Sequence, residues 1–215
     1  MQHTSYSDSG AREELSQQQL TRRLAAALGG WLLVALAASS AGLISPSLPR
    51  PIIPLLIWLP TLTFILAFAR SRGVRAAVRA LDMRLPILWH LCRAGYGIGF
   101  LMLDARGAID SSFARVAGPG DILAGLGALV AALAVPATTP TRRVLVFGWN
   151  ALALADILLV FVTAQRILFF GGGFGALEAF TRMPYSLLPT FVVPMILITH
   201  FVVFAKLWMR EKAVR

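Results

Sequence analysis

The sequence predicts an all-α fold, a polytopic membrane helix bundle of about six transmembrane helices with both termini in the cytoplasm. Hydrophobic residues make up 57% of the 215 residues and charged residues only 14%, whereas soluble domains carry roughly 25% charged residues. The apolar residues also come in blocks of about 20, the length with which a helix crosses a bilayer. The net charge of +10 does not indicate nucleic-acid binding, because the basic residues lie at the ends of the apolar blocks.

Three regions follow from these blocks: a polar cytoplasmic tail over residues 1–23, a transmembrane domain over residues 24–208 and a basic cytoplasmic tail over residues 209–215. In chain order, we expect the spans to cover residues 24–44, 52–69, 85–103, 122–135, 144–169 and 185–207. Fourteen of the 20 Lys and Arg residues fall on the side of the termini and five on the other. The positive-inside rule then predicts cytoplasmic termini, and we expect a multi-pass protein of a bacterial inner membrane.

The first two spans are separated by a tight turn. It contains Pro46, Pro49 and Pro51, and a turn so rich in proline cannot continue a helix. Pro60 lies in the middle of span two and is expected to kink it, which neighbouring helices accommodate.

A basic segment over residues 70–84 follows span two. Arg72, Arg75 and Arg79 share one face of a short helix whose other face is apolar. This pattern predicts an amphipathic helix that lies on anionic lipid headgroups.

Span three carries charged and ionisable groups inside an otherwise apolar stretch. At about 100° per residue, His90, Arg93 and Asp104 fall on one stripe of the helix. A guanidinium in hydrocarbon costs at least about 2.5 kcal/mol, so this stripe must face protein or trapped water.

We expect the connector of residues 105–120 to lie at the outer membrane interface. Gly118 and Gly120 close it as a structural loop and permit a sharp entry into span four. Asp121 is then predicted to be the N-cap of that span.

Polar residues on three different spans come out at similar depth. At 1.5 Å per residue, His90, Asn150 and His200 lie about 8–11 Å from the cytoplasmic ends of their spans. Arg93 comes out about 13 Å deep and Asp156 about 18 Å deep. We therefore predict a buried polar network in which Asp156 is the counter-ion of Arg93.

A pattern of glycines, aromatic and polar residues extends from span three to span six. It comprises Arg93, Gly97, Phe100, Leu101 and Gly107, then Phe113-Ala114, Ala117-Gly118 and Gly120-Asp121, and then Trp149-Asn150, Asp156, Pro194 and His200. The pattern resembles a group of small uncharacterised bacterial polytopic integral membrane proteins. Ile109-Asp110 departs from the Leu-Pro expected in that group. The resemblance supports the site residues and implies no activity.

Transport is the function that these residues favour. The hypothesis uses six residues: Arg93, Asp156, His90, Asn150, His200 and, at the outer boundary, Asp121. A buried carboxylate and histidines exchange protons, and an arginine binds an anion or holds the carboxylate ionised. The network would then conduct or couple protons, an ion or a small polar solute.

Electron transfer is an alternative, with His90 and His200 as the axial ligands of a b-type haem. A third possibility is a non-catalytic accessory or assembly subunit, in a homo-oligomer or a larger membrane complex, with a purely structural ion pair. Cys92 is the single cysteine, so we expect neither an intrachain disulfide nor a zinc site. An enzyme is least supported, because the sequence has no Ser/His/Asp or HExxH pattern.

Overall fold

The computed structural model describes the backbone of residues 4–214 and the side chains of residues 18–209, other than Leu20, Thr21 and Phe174. This part of the chain is all-α and contains no strand. The α-helices are α1 (Thr4–Ser40), α2 (Ile52–Arg70), α3 (Arg72–Ala80), α4 (Arg84–Leu88), α5 (Leu91–Ala105), α6 (Ser111–Leu133), α7 (Pro140–Phe170), α8 (Gly173–Ala176) and α9 (Val193–Val214). A turn of π-helix, Leu188–Val192, leads into α9.

Within the described residues, five helices are long and apolar enough to cross a membrane. They are Arg22–Ser40, Ile52–Arg70, Ser111–Leu133, Pro140–Phe170 and Leu188–Met209. The predicted third span is not among them, because the chain there forms two shorter helices, α4 and α5, that meet at Trp89 and His90.

The predicted loop before span four is wrong. Helix α6 begins at Ser111 and passes without interruption through Gly118 and Gly120. Its N-cap is Asp110 and not Asp121: the Asp110 carboxylate accepts a bond of 2.8 Å from the backbone N–H of Ser112. A bond from the Ser112 side chain lowers the pKa of this exposed carboxyl group. The Gly-Pro-Gly stretch remains helical because one proline removes a single backbone bond, which a packed membrane helix tolerates.

Helices α5 and α6 pack closely, and glycines make this contact possible. A Cβ at Gly97 would lie 2.6 Å from the carbonyl oxygen of Gly118, and one at Gly125 would lie 2.7 Å from the backbone nitrogen of Ala94. Since real Cβ atoms do not approach other atoms so closely, both glycines are required by the packing. Small residues that let helix backbones approach are typical of helix pairs in membranes.

The amphipathic helix α3 forms as predicted, but its apolar face packs on protein. Val78 is buried in a cluster with Ile198 and Val202 of α9. The ammonium group of Lys206, which is 7% exposed, caps the C-terminal end of α3. It donates hydrogen bonds of 2.6–2.8 Å to three carbonyl oxygens, those of Val78, Arg79 and Leu81. A cation at a helix C-terminus also interacts favourably with the helix dipole.

The three arginines predicted to contact lipid headgroups have different surroundings. Arg75 donates to the carbonyl oxygens of Phe68 and Ala69, at 3.0 and 2.7 Å, and so caps the end of α2. Arg72 and Arg79 are exposed. Of the three arginines, Arg75 therefore binds protein groups, whereas the other two remain at the surface.

A tryptophan attaches α1 to the start of the last helix. Pro194 has no backbone N–H to donate to the carbonyl oxygen of Thr190, four residues earlier. The indole Nε1 of Trp31 donates to that oxygen instead, at 3.0 Å. The proline thus creates the acceptor that α1 uses.

We expect Gly97→Ala to lower the free energy of unfolding by about 1–3 kcal/mol, because its methyl group would press on the backbone of α6. Gly95→Ala on the same helix is the matched control, since a Cβ at Gly95 meets nothing within 4 Å. Thermal unfolding in mild detergent measures both variants. Equal stability of the two would contradict the close-packing assignment.

Candidate functional site

Arg93 lies at the centre of the bundle and joins three helices. Its side chain extends from α5 and is 1% exposed. Nε donates to Oδ1 of Asp121 on α6 at 2.6 Å, and Nη1 donates to the carbonyl oxygen of Ala153 on α7 at 2.9 Å. Nη2 donates to Oδ2 of Asp156, also on α7. All three guanidinium nitrogens are therefore bound.

The structure thus places Arg93 against the predicted counter-ion, Asp156, and adds a second, Asp121. Asp121 was expected at the outer boundary, but α6 begins at Ser111 and carries it about 15 Å along the helix, to the level of Arg93. The Asp121 side chain is 5% exposed and that of Asp156 is 21% exposed. Because one guanidinium faces two carboxylates, the fully ionised cluster has a net charge of −1.

Gly120 provides the space for the carboxylate of Asp156. A Cβ at Gly120 would overlap the carboxylate of Asp156, so any other residue at this position would displace that side chain. Gly118 serves the α5–α6 contact. Both glycines act by close packing within α6, and not as the loop that the sequence pattern suggested.

His90 and His200 form a second buried group. His90 lies at the junction of α4 and α5, and His200 lies on α9. Both residues are fully buried, and their ring centroids are 4.2 Å apart. The ring of Trp149 packs edge-on against His90 at 5.2 Å between centroids. The similar depths predicted for the two histidines thus correspond to a direct ring contact.

The partners of His200 determine which of its nitrogens carries hydrogen. The side-chain nitrogen of Asn150 donates to the backbone carbonyl of His200 at 3.1 Å, so the amide oxygen of Asn150 is the acceptor in the bond of 2.9 Å with His200 Nδ1. The hydrogen of a neutral ring is then on Nδ1. Nε2 is left with a lone pair, is buried and has no hydrogen-bond partner among the described residues.

The same reasoning assigns the hydrogen of His90 to Nε2. The Thr199 hydroxyl lies 2.8 Å from the carbonyl oxygen of Met195 and 2.9 Å from that of Ile196, and it donates to one of them. It therefore accepts from His90 Nε2, at 3.1 Å. Nδ1 of His90 is buried without a partner. Each histidine thus has one nitrogen that is free to accept a proton.

A haem between His90 and His200 does not fit this geometry. Two axial imidazoles lie on opposite faces of a porphyrin, and metal–nitrogen bonds of about 2 Å then place their centroids about 6 Å apart. The rings here are in contact at 4.2 Å. Both also pack against the same Trp149 ring.

An apolar cavity of about 90 Å³ adjoins the Arg93–Asp121 pair. Its walls come from α2, α5, α6, α7 and the π-helical turn and first residues of α9. Arg93 and Asp121 lie in the wall at one end, and Ile44 and Leu177, from the segments between helices, lie at the other. Gln165 also lines the cavity, and its Oε1 is buried without a hydrogen-bond partner.

We expect Arg93→Met to destabilise the fold by about 3–5 kcal/mol, because it leaves two buried carboxylates without their cation. Asp121→Asn should cost much less, since Arg93 and Asp156 then balance. Arg115→Met, at an exposed position of α6, is the control. Unfolding by denaturant in detergent micelles measures all three, and equal losses for Arg93→Met and Asp121→Asn would contradict the charge argument.

Comparisons with known proteins place the chain in a family. No curated protein and no solved structure matches it. A family described as a domain of unknown function, DUF8737, matches residues 50–208. This range includes every residue of the Arg93 cluster and the histidine pair, and it begins after α1. Because the match covers well over half of the chain, the protein belongs to the DUF8737 family.

Proposed function

We propose that this protein transports protons across a membrane, with the carboxylates of Asp121 and Asp156 as the central proton-binding groups. The observation that carries the proposal is the ratio of charges, one guanidinium to two carboxylates in the interior of the bundle. Uptake of one proton neutralises the cluster, and its release restores the net negative charge. Ionisable groups inside membrane spans typically mark ion pathways and proton relays.

We also propose six membrane crossings, with α4 and α5 together as the third. Residues 84–105 are long enough to cross a bilayer despite the break. At one end of the bundle, Nη2 of Arg84 donates to the carbonyl oxygen of Val135 at 2.7 Å. The backbone N–H of Asp110, which follows α5, donates to the carbonyl oxygen of Ala176 at 3.0 Å. These two contacts support the alternating order that six crossings require, and the charge bias supports cytoplasmic termini in an inner-membrane protein.

The histidine pair extends the proton-binding groups toward the cytoplasmic side. His90 precedes Arg93 by about one helical turn and lies at the break between α4 and α5. Binding sites in membrane transporters are typically built where helices are discontinuous. Nδ1 of His90 and Nε2 of His200 have no hydrogen-bond partner among the described residues. These two nitrogens would accept protons on the cytoplasmic side of the carboxylate cluster.

The size of the cavity favours protons over a larger solute. A volume of about 90 Å³ holds a few water molecules, whereas a cavity that binds benzene in a well-studied protein measures about 150 Å³. An organic solute would not reach Arg93 without rearrangement of the helices.

A non-catalytic accessory subunit is the second candidate. Each guanidinium nitrogen of Arg93 donates to a protein acceptor. This arrangement is what a purely structural connection between three helices requires, and it favours the accessory role. In either case, we propose that Arg72 and Arg79 contact anionic headgroups at the cytoplasmic surface of the bilayer.

We expect Asp156→Asn and Asp121→Asn each to reduce proton flux at least tenfold, because the amide cannot exchange a proton. The assay uses purified protein in vesicles with an imposed potassium diffusion potential and a pH-sensitive dye inside. Asp104→Asn is the matched control, since Asp104 contacts Ser111 at the end of the bundle and should retain flux.

Gel filtration and circular dichroism of each variant establish that it is folded. Absence of flux in the wild-type protein, or full flux in both Asp121→Asn and Asp156→Asn, would reject the proposal. Wild-type protein without flux that purifies with other membrane proteins would support the accessory role.

A further inference from the structure

We propose that the cavity beside Arg93 is the outer entrance to the carboxylate cluster, and that water fills it transiently and hydrogen-bonds to Gln165. The inference rests on the proposed proton transport and identifies the route by which protons reach Asp121 from outside the cell. It assigns a role to Gln165, which the sequence did not single out.

The position of the cavity supports this route. Asp121 lies in its wall at one end. Phe113, eight residues earlier on α6, lines it as well, so the cavity follows that helix for about 12 Å. Its far end is bordered by Ile44 and Leu177, which lie between helices on the side that the charge bias assigns to the exterior.

The unpartnered atom of Gln165 identifies the ligand class. A buried amide oxygen without a hydrogen bond costs about 1–3 kcal/mol, and no group among the described residues donates to the Gln165 oxygen. A water molecule requires two to four polar partners. Gln165 provides one partner on the outer side, Asp121 and Arg93 provide others at the inner end, and a file of water molecules between them would complete its remaining bonds with one another. The remaining wall is largely apolar, so water would fill it transiently, as in hydrophobic gates that open by wetting.

Helix α7 offers a test, because it presents one side to the cavity and another to the bundle surface. Val160 and Ala164 line the cavity. Leu159 and Val162 lie at nearly the same depth and are 54% and 60% exposed on the surface, where lipid would surround them. Each residue is changed to cysteine in a Cys92→Ala background, which removes the single native thiol.

Intact cells or right-side-out vesicles are treated with Ag⁺, a thiol-reactive cation that is small enough for the cavity and does not cross lipid. Because the thiolate is the reacting form, only a cysteine in contact with water reacts. We expect Val160→Cys and Ala164→Cys to react at least tenfold faster than Leu159→Cys and Val162→Cys. Gln165→Leu should slow the reaction at Val160→Cys at least tenfold, since residue 160 lies about 7 Å deeper than residue 165.

The outcomes separate this inference from the proposed function. Val160→Cys and Ala164→Cys that react as slowly as the lipid-facing controls would overturn the water-filled entrance, whether or not the protein transports protons. Reaction only in inverted vesicles would overturn its outward direction. Rapid reaction at Val160→Cys together with full proton flux in Asp121→Asn and Asp156→Asn would support the entrance and reject the carboxylates as the transport site.

Discussion

The contact on which the rest of the structure depends is that between the Arg93 guanidinium and its three acceptors on α6 and α7. A buried arginine is costly in a membrane unless all of its donors are satisfied by protein. Here Asp121, Ala153 and Asp156 provide one acceptor for each nitrogen. The energetic requirement of one side chain therefore fixes the rotation and the relative height of three helices.

Close packing makes this contact possible. The guanidinium reaches both neighbouring helices because α5 and α6 touch through their backbones at Gly97 and Gly118. Gly120 leaves the space that the Asp156 carboxylate occupies. The glycines and the ion cluster thus depend on each other: a larger residue at either contact would separate helices that the charges need at hydrogen-bond distance. This dependence explains how a short apolar chain retains three charged groups in its interior.

The sequence predicts the all-α fold and the Arg93–Asp156 pair because both follow from hydropathy and helix geometry. Because an unpaired charge in hydrocarbon is costly, Arg93 requires a carboxylate at nearly its own depth. Few residues of the sequence meet that requirement. The Gly-Pro-Gly pattern predicts a loop and so misplaces Asp121, although Asp110 and the two serines after it are a recognisable helix start. The correct beginning of α6 would have placed Asp121 beside Arg93. The split between α4 and α5 has no clear signal in the residues around it, because the chain from residue 87 to residue 94 contains neither glycine nor proline.

The ring contact of His90 and His200 could not be derived from depth alone, because it depends on two irregular helices. His90 lies where α4 ends and α5 begins, and α9 follows a π-helical turn and contains Pro194. Such interruptions release backbone groups, one of which Trp31 binds, and they often lie at functional sites. A regular helix holds every residue at a fixed rotation about its axis. Beside an interruption, a side chain can change its hydrogen-bond partners at a small cost in free energy. Under the proposed function, His90 and His200 would take up a proton with little rearrangement of the bundle, because each has one free nitrogen and lies within two turns of a helix interruption.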